Sequence, residues 1–259
     1  MIKSNLGSFK TIGIIGGIGS EATLDLYRWI IQLTPVSSDQ DHIPVLIYSL
    51  PQIPDRTQHL LYGGDDPLPL LIHTGQALEK AGADFVVIPC NTAHAFLSKL
   101  QPQLSIPIIS MIDETVGYIK HVAPKTRVGL LATTGTVKTR IYEDALRAEG
   151  VEVVLPDADY QEDYVMEAVY GARGVKAGYT EGTPVELITQ ACQHVIENGA
   201  EAVIMGCTEI PLILKAESVP VPLINPTQIL AQAAVDIGRG ERVLERDLIH
   251  GAETSVWDS

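Results

Sequence analysis

"AGADFVVIPC" fills residues 81–90 and "NGAEAVIMGC" residues 198–207. Each runs from a glycine through a small residue and an acid into a short apolar stretch, and each stops at a cysteine. A run of this length, rich in Val and Ile, entered from Gly and left through small polar residues, predicts a buried strand. The two segments lie 117 residues apart, pairing Gly82 with Gly199 and Cys90 with Cys207. Upstream, "KTIGIIGGIG" from Lys10 matches "TRVGLLATTG" from Thr126 at an offset of 116, pairing Gly13 with Gly129 and Gly19 with Gly135. Downstream, "IPII" at 106–109 matches "VPLI" at 221–224 at an offset of 115. Three landmarks at nearly one offset make an internal repeat. The chain reads as two copies of one unit, 1–112 and 113–224, followed by a segment 225–259.

Within each copy, short β-branched runs alternate with amphipathic stretches. Strands are expected near 11–15, 44–49, 84–88, 107–109, 127–132, 151–154, 202–205 and 222–224. Between them, apolar residues recur three and four apart, as in Leu187, Ile188, Ala191, Cys192, Val195 and Ile196, which is helical spacing. Thr183, Pro184 and Glu186 suggest a capping box at the start of that helix. The alternation predicts parallel sheets covered by helices on both faces, hence two similar three-layer α/β domains. Open α/β sheets bind ligands at the carboxyl ends of their strands. Domains facing each other about an approximate two-fold axis would therefore bring Cys90 and Cys207 into one cleft.

Composition narrows the partners. The 259 residues carry a formal net charge of −14, with only 18 Lys and Arg. Nucleic acid and anionic membrane surfaces are excluded as expected partners, because contact would begin with repulsion. No apolar run approaches the roughly 18 residues that a membrane helix needs. The polar residues 1–10 do not resemble a signal peptide, and three cysteines do not form a disulfide framework. A reducing cytoplasm is the expected compartment.

Two thiols on opposite sides of one carbon suit inversion of a stereocentre. One, as thiolate, removes a proton while the other, as thiol, returns one to the opposite face. A free thiol has a pKa of about 8.5, lowered at helix N-termini; Thr92–Ala93 and Thr208–Glu209 are expected to open such helices. The bland reading is that cysteines are small buried hydrophobes. Cys192, mid-helix on an apolar face, fits it; Cys90 and Cys207, repeated at strand ends among Asn91, Thr92, Thr208 and Glu209, do not. Zinc at Cys90 and His94 lacks the further ligands a site needs. A hydrolase built on Cys90 and His94 leaves Cys207 unexplained. A nucleotide at Gly17-x-Gly19-x-x-Ala22 rests on a weak fingerprint, without the acid expected after the second strand.

These segments resemble the aspartate/glutamate racemase family, in "GIIGGIGSEAT" (13–23), "PCNTAHAF" (89–96), "LLATTGT" (130–136) and "GCTEIPLIL" (206–214). The form "GCTE" is similar to the aspartate racemase branch, although Ile18 and Ser20 stand where that branch more often has Met and Pro. The resemblance implies a racemase without cofactor or metal, commonly a dimer, acting on a small amino dicarboxylate. Cys90 would act on the D-isomer and Cys207 on the L-isomer, with 225–259 returning to the first domain. Aspartate is the expected substrate. Glutamate, broader specificity and maleate isomerisation are the alternatives, and a dicarboxylate-binding module is the non-enzymatic one.

Such a substrate needs cations and helix N-terminal amides. Arg56, in "LPQIPDRTQ", and Lys176, in "YGARGVKAGYT", match substrate-binding positions of the family. "ATTGT" supplies Thr133, Thr134 and Thr136, and the first loop supplies Gly17 and Ile18. Asn91, Thr92 and Thr208 are expected to bond the α-carboxylate or a thiolate, with Glu209 and His94 in support. Segments 55–67 and 171–182 are expected to close over the cleft.

Overall fold

The computed structural model describes residues 9–244. Most of the polar 1–10 stretch and the end of the 225–259 segment lie outside them. All eight expected strands are present, in two four-stranded parallel sheets. The first contains β1 (Ile12–Gly16), β2 (Val45–Ser49), β3 (Phe85–Val87) and β4 (Ile108–Ile109), in the order β2-β1-β3-β4. The second contains β5 (Arg127–Leu131), β6 (Glu152–Val154), β7 (Ala202–Met205) and β8 (Leu223–Ile224), in the equivalent order β6-β5-β7-β8.

The repeat extends to strand register. Gly13 pairs with Val86, and Gly129 with Val203. A side chain at either glycine would collide with the same partners. A Cβ on Gly13 would lie 2.8 Å from Val86 and 3.0 Å from Ala83; one on Gly129 would lie 3.1 Å from Val203 and 3.2 Å from Ala200. The glycines thus let the helix-to-strand corner press against the central strand of each sheet, which explains why these letters repeat.

Helices cover both faces, so the central strands are buried on each side and read as continuous apolar runs. On one face of the first sheet, Ile12 and Ile14 meet Leu26 and Ile30 of helix Ser20–Leu33, with Leu230 and Ala234 of helix Pro226–Gly238. On the other, Ile15 and Val86 meet Leu71 and Leu78 of helix Leu68–Ala81. In the second domain, Leu131 and Val203 pack on Ile188, Cys192 and Val195, while Val128 and Ile204 pack on Ile119, Tyr142 and Leu146. Helix Met111–His121 joins the two halves: Met111 belongs to a core of the first sheet, and Ile112, Val116 and Ile119 to one of the second.

One expectation is corrected. Helix Thr183–Glu197 has no capping box, because Thr183 is already its first residue and Gly182 precedes it without a side-chain cap. Gly182 has φ 68°, and its carbonyl accepts from Glu186 N at 3.1 Å. A backbone conformation open mainly to glycine starts this helix, in place of a hydroxyl.

Candidate active site

Cys90 follows β3 and Cys207 follows β7, at the carboxyl edges of the central strands. Both line one cavity between the domains. Ile18, Arg56, Asn91 and Thr92 face it from the first domain; Thr133, Tyr170, Lys176, Thr208 and Glu209 face it from the second. Its volume is ≈ 10 Å³, about what one water molecule requires. Larger hollows of ≈ 360 and ≈ 590 Å³ contain neither cysteine, so chemistry rather than size marks the site. The walls must separate before an amino acid enters.

The helices after the cysteines are shorter than the sequence suggests. Thr92–Phe96 is a 3-10 turn, and the helix after Cys207 spans only Ile210–Ile213, leaving Thr208 outside it. Aligned helical amides therefore contribute little to either thiol, and side chains set their surroundings.

Those surroundings differ. The Cys207 thiol donates to Glu209 Oε2 at 2.9 Å, and Thr208 Oγ1 donates to the same oxygen at 3.3 Å. Lys176 Nζ bonds Glu209 Oε1 at 3.0 Å. Burial and the adjacent carboxylate push the Cys207 thiol well above its ordinary value, so it is protonated. Burial also opposes ionisation of Glu209, but the Lys176 ammonium and the bond from Cys207 hold its carboxyl below the usual range. The main chain of Lys176 is exposed, yet its side chain is only 25% exposed and its ammonium points inward, 5.2 Å from the Tyr170 ring centre. Its pKa is raised: burial works against the charge, but Glu209 outweighs it. Cys90 instead faces the Arg56 guanidinium, whose charge survives burial because of Cys90 and Asp55.

Two buried donors at this site are unsatisfied. Arg56 donates from Nη1 to Pro54 O at 3.0 Å but leaves Nε without a partner, and Asn91 leaves Nδ2 without one. Buried donors rarely stay unpaired, so both are available to an incoming acceptor. Beside them, Thr92 Oγ1 shares hydrogen bonds with Thr133 at 3.1 Å and Thr136 at 2.8 Å, tying the domains together.

Three expected binding residues lie elsewhere. Thr136 sits behind Thr92 in this hydroxyl web. Thr134 turns away, its hydroxyl donating to Glu162 at 2.7 Å and its amide to the Met166 thioether at 3.3 Å. The π-helical turn Gln161–Met166 thus covers the helix N-terminus that "ATTGT" seemed to offer. Gly17 donates to Thr23 Oγ1 at 3.0 Å, and a Cβ there would lie 2.4 Å from the Leu50 backbone; a neighbouring chain segment, rather than a phosphate, explains this glycine. His94 supports the loop. Its Nδ1 bonds the Cys90 carbonyl at 2.8 Å and its Nε2 accepts from Met111 N at 2.9 Å. Both nitrogens are occupied, and burial lowers its pKa to about 4, so it is a neutral brace and not a base for Cys90. Among the described residues, no three His, Cys, Asp or Glu side chains converge as a metal site, and no helix is long and apolar enough to cross a membrane.

Tyr170, Asp55 and Thr57 escaped the sequence reading. Tyr170 donates to Asp55 Oδ2 at 2.9 Å, joining the two glycine-rich segments across the cleft. Asp55 Oδ1 accepts from Gln58 N at 2.9 Å, capping helix Arg56–Tyr62 and so setting where Arg56 starts. Thr57 abuts Gly135, where a Cβ would lie 2.8 Å from its hydroxyl; a Cβ on Gly19 would lie 2.8 Å from Glu209 Oε1. The glycines paired by the repeat are both points where the opposite domain closes in. The only available signal was position, since Asp55 adjoins Arg56 and Tyr170 opens the loop that carries Lys176.

Paired parallel-sheet domains that present one cysteine each to a shared, cation-lined cavity define a two-domain α/β fold with a candidate site between its halves. The chain belongs to the Asp/Glu/hydantoin racemase family, whose pattern matches residues 15–234, and is a racemase of that family. It is 29% identical over 230 residues to the broad specificity amino-acid racemase RacX of Bacillus subtilis, covering 86% of this chain and 96% of that one. The solved aspartate racemase of Picrophilus torridus superimposes with a TM-score of 0.78 at 29% identity, over 93% of this chain and 99% of that one. Glutamate racemase of Francisella tularensis, in complex with D-glutamate, shares the fold at a TM-score of 0.66 and 19% identity, over 95% of this chain and 84% of that one.

Proposed function

We propose that the protein interconverts L- and D-aspartate without a cofactor, by proton removal and return at Cα. The observation that carries this reading is the shared cavity: Cys90 and Cys207 enter it from opposite domains, each beside a cation. With the D-isomer, Cys90 as thiolate takes the α-proton, forming S–H as the Cα–H bond breaks. The Cys207 thiol gives its proton to the opposite face, and Cys207 is left as the thiolate. The L-isomer runs the same steps backwards from Cys207. The proton count of the pair is unchanged, so the cysteines titrate as one coupled unit.

Arg56 Nε and Asn91 Nδ2 supply donors for a carboxylate, and the Lys176 ammonium offers a second cation from the other side. A cation on each side favours an amino acid with two carboxylates. Broad specificity is the second reading, favoured by the likeness to RacX. Closure of segments 55–67 and 171–182 would exclude water and strengthen each charge acting on the carbanion-like transition state.

The test is incubation of purified, reduced protein with L-aspartate in heavy water, with nothing else added. Loss of the α-proton NMR signal together with appearance of D-aspartate on chiral chromatography is expected. An unchanged signal and isomer ratio would reject aspartate, and glutamate and neutral amino acids would then separate the remaining racemase readings.

A further inference from the structure

We infer that Tyr142 is a positioning residue for the site, acting through Asn91. It rests on the reading of Asn91 as a substrate donor. Tyr142 comes from the second domain and is buried, yet its hydroxyl donates to Oδ1 of Asn91 in the first domain at 2.6 Å. Asn91 is 2% exposed, lines the cavity next to Cys90, and has no partner for Nδ2. An amide group has one acceptor end and one donor end. A bond that holds the oxygen toward Tyr142 turns the NH₂ away from it, toward the reacting space, and leaves its protons for a ligand acceptor. Asn91 alone is free to present either end. With Tyr142 in place it offers only donors, which suits a carboxylate and repels nothing anionic.

One further feature fits this role. Arg140 has φ 57°, the only positive value outside glycine among the described residues, and breaks the chain between helices Thr134–Thr139 and Ile141–Ala148. A strained corner two residues before Tyr142 persists only where the surroundings hold it. It redirects the second helix so that its first turn puts the ring into the seam. Because the bond crosses between domains, Asn91 is oriented only when they are seated together.

The test combines kinetics with NMR. Asn91→Ala should raise KM about tenfold or more, the loss of a charge-assisted hydrogen bond. Tyr142→Phe keeps the ring, and should raise KM about three- to tenfold, with kcat within about twofold. The double variant should match Asn91→Ala alone, because Tyr142 has nothing left to orient. An unchanged KM in Tyr142→Phe, or factors that multiply in the double variant, would overturn the inference; a purely structural tyrosine would lower the melting temperature and leave KM alone. Should the phenylalanine variant not fold, the wild-type protein still decides the matter. Its Asn91 side-chain amide resonance, identified by its absence in Asn91→Ala, should shift and gain exchange protection on addition of succinate, and a resonance that stays put while succinate binds would reject the role. If the wild type racemises no amino acid, the failure lies with the functional reading, and the succinate experiment, repeated on Tyr142→Phe, judges Tyr142: an Asn91 amide that responds identically in both proteins would overturn the inference.

Discussion

The Cys207 thiol and the Glu209 carboxylate form a 2.9 Å hydrogen bond, and the same carboxylate anchors the Lys176 ammonium at 3.0 Å. Among the described residues no carboxylate bonds the Cys90 thiol, which meets Arg56 instead. The repeat therefore supplies two equivalent sulfurs, and the surroundings make them unequal.

Glu209→Gln should expose that inequality. The carboxylate raises the Cys207 thiol and Lys176 lowers it, so removing the carboxylate alone should let Cys207 ionise at lower pH. The amide can no longer anchor the Lys176 ammonium or hold the Cys207 thiol as a charged acceptor does, and the loss of a group that positions a proton donor should lower kcat/KM about 10²-fold. Enantiomers have an equilibrium constant of one, so kcat/KM must fall equally in both directions while kcat and KM change separately. Initial rates from each isomer, with thiolate absorbance against pH, would check this. An unchanged kcat/KM or an unmoved titration would sink it.

Selective alkylation offers a second check. Cys207 is held as a thiol by burial and by Glu209, and burial pushes Cys192 up to about 12. Iodoacetamide at neutral pH should therefore modify Cys90 before these two, at a rate limited by opening of the cavity. Peptide mass spectrometry over time would give the order, and succinate should slow the reaction. Labelling of Cys192 first would contradict the packing of its helix.

Much of this was legible in the sequence, for physical reasons. Doubly buried parallel strands must be apolar throughout, so β1, β3, β5 and β7 stood out, and the steric demand at Gly13 and Gly129 kept the repeat visible. The cysteines were legible because strand ends are where such sheets bind ligands. Thr134 was misread because its orientation depends on Glu162 and Met166, contacts that no local pattern announces. The Asp55–Tyr170 bond was hidden because its partners are 115 residues apart. Thr183 looked like a cap because its hydroxyl and Pro184 fit one, whereas the dihedrals of Gly182 decide where that helix begins.

Stability should fall on acidification through His94. An unfolded histidine titrates near its ordinary value of 6.5, whereas burial holds the folded one at about 4. Between these values the unfolded chain binds the additional proton. This contribution is complete above about pH 6.5, is lost as pH falls toward 4, and amounts to about 3 kcal/mol. Urea midpoints from pH 7 to 4 would reveal the slope. In His94→Gln, with no imidazole to protonate, the chain should be less stable at pH 7 and its dependence over that window should flatten. An unchanged slope would assign the acid sensitivity to other groups.

The bond from Tyr170 to Asp55 should act as the latch of the cleft. The cavity is too small to admit an amino acid, so turnover requires opening, and this hydrogen bond is one that must break and re-form. Tyr170→Phe removes the hydroxyl while keeping the ring near Lys176. A hydrogen bond to a charged group is worth about 1.5–3 kcal/mol, so its loss should shift the closed-to-open ratio about tenfold or more toward the open form. KM should rise, and protease cleavage within 171–182 should quicken in the free protein. Substitutions at Asp55 should follow a definite order. Asp55→Asn keeps one oxygen to cap helix Arg56–Tyr62 but puts an NH₂ where Oδ2 accepts from Tyr170, so it should loosen the latch and raise KM while leaving Arg56 in place. Asp55→Ala removes both and also loosens Arg56, so it should lower kcat as well as raise KM. Cleavage rates that are the same in wild type and Tyr170→Phe, with and without succinate, would show that closure does not depend on this bond.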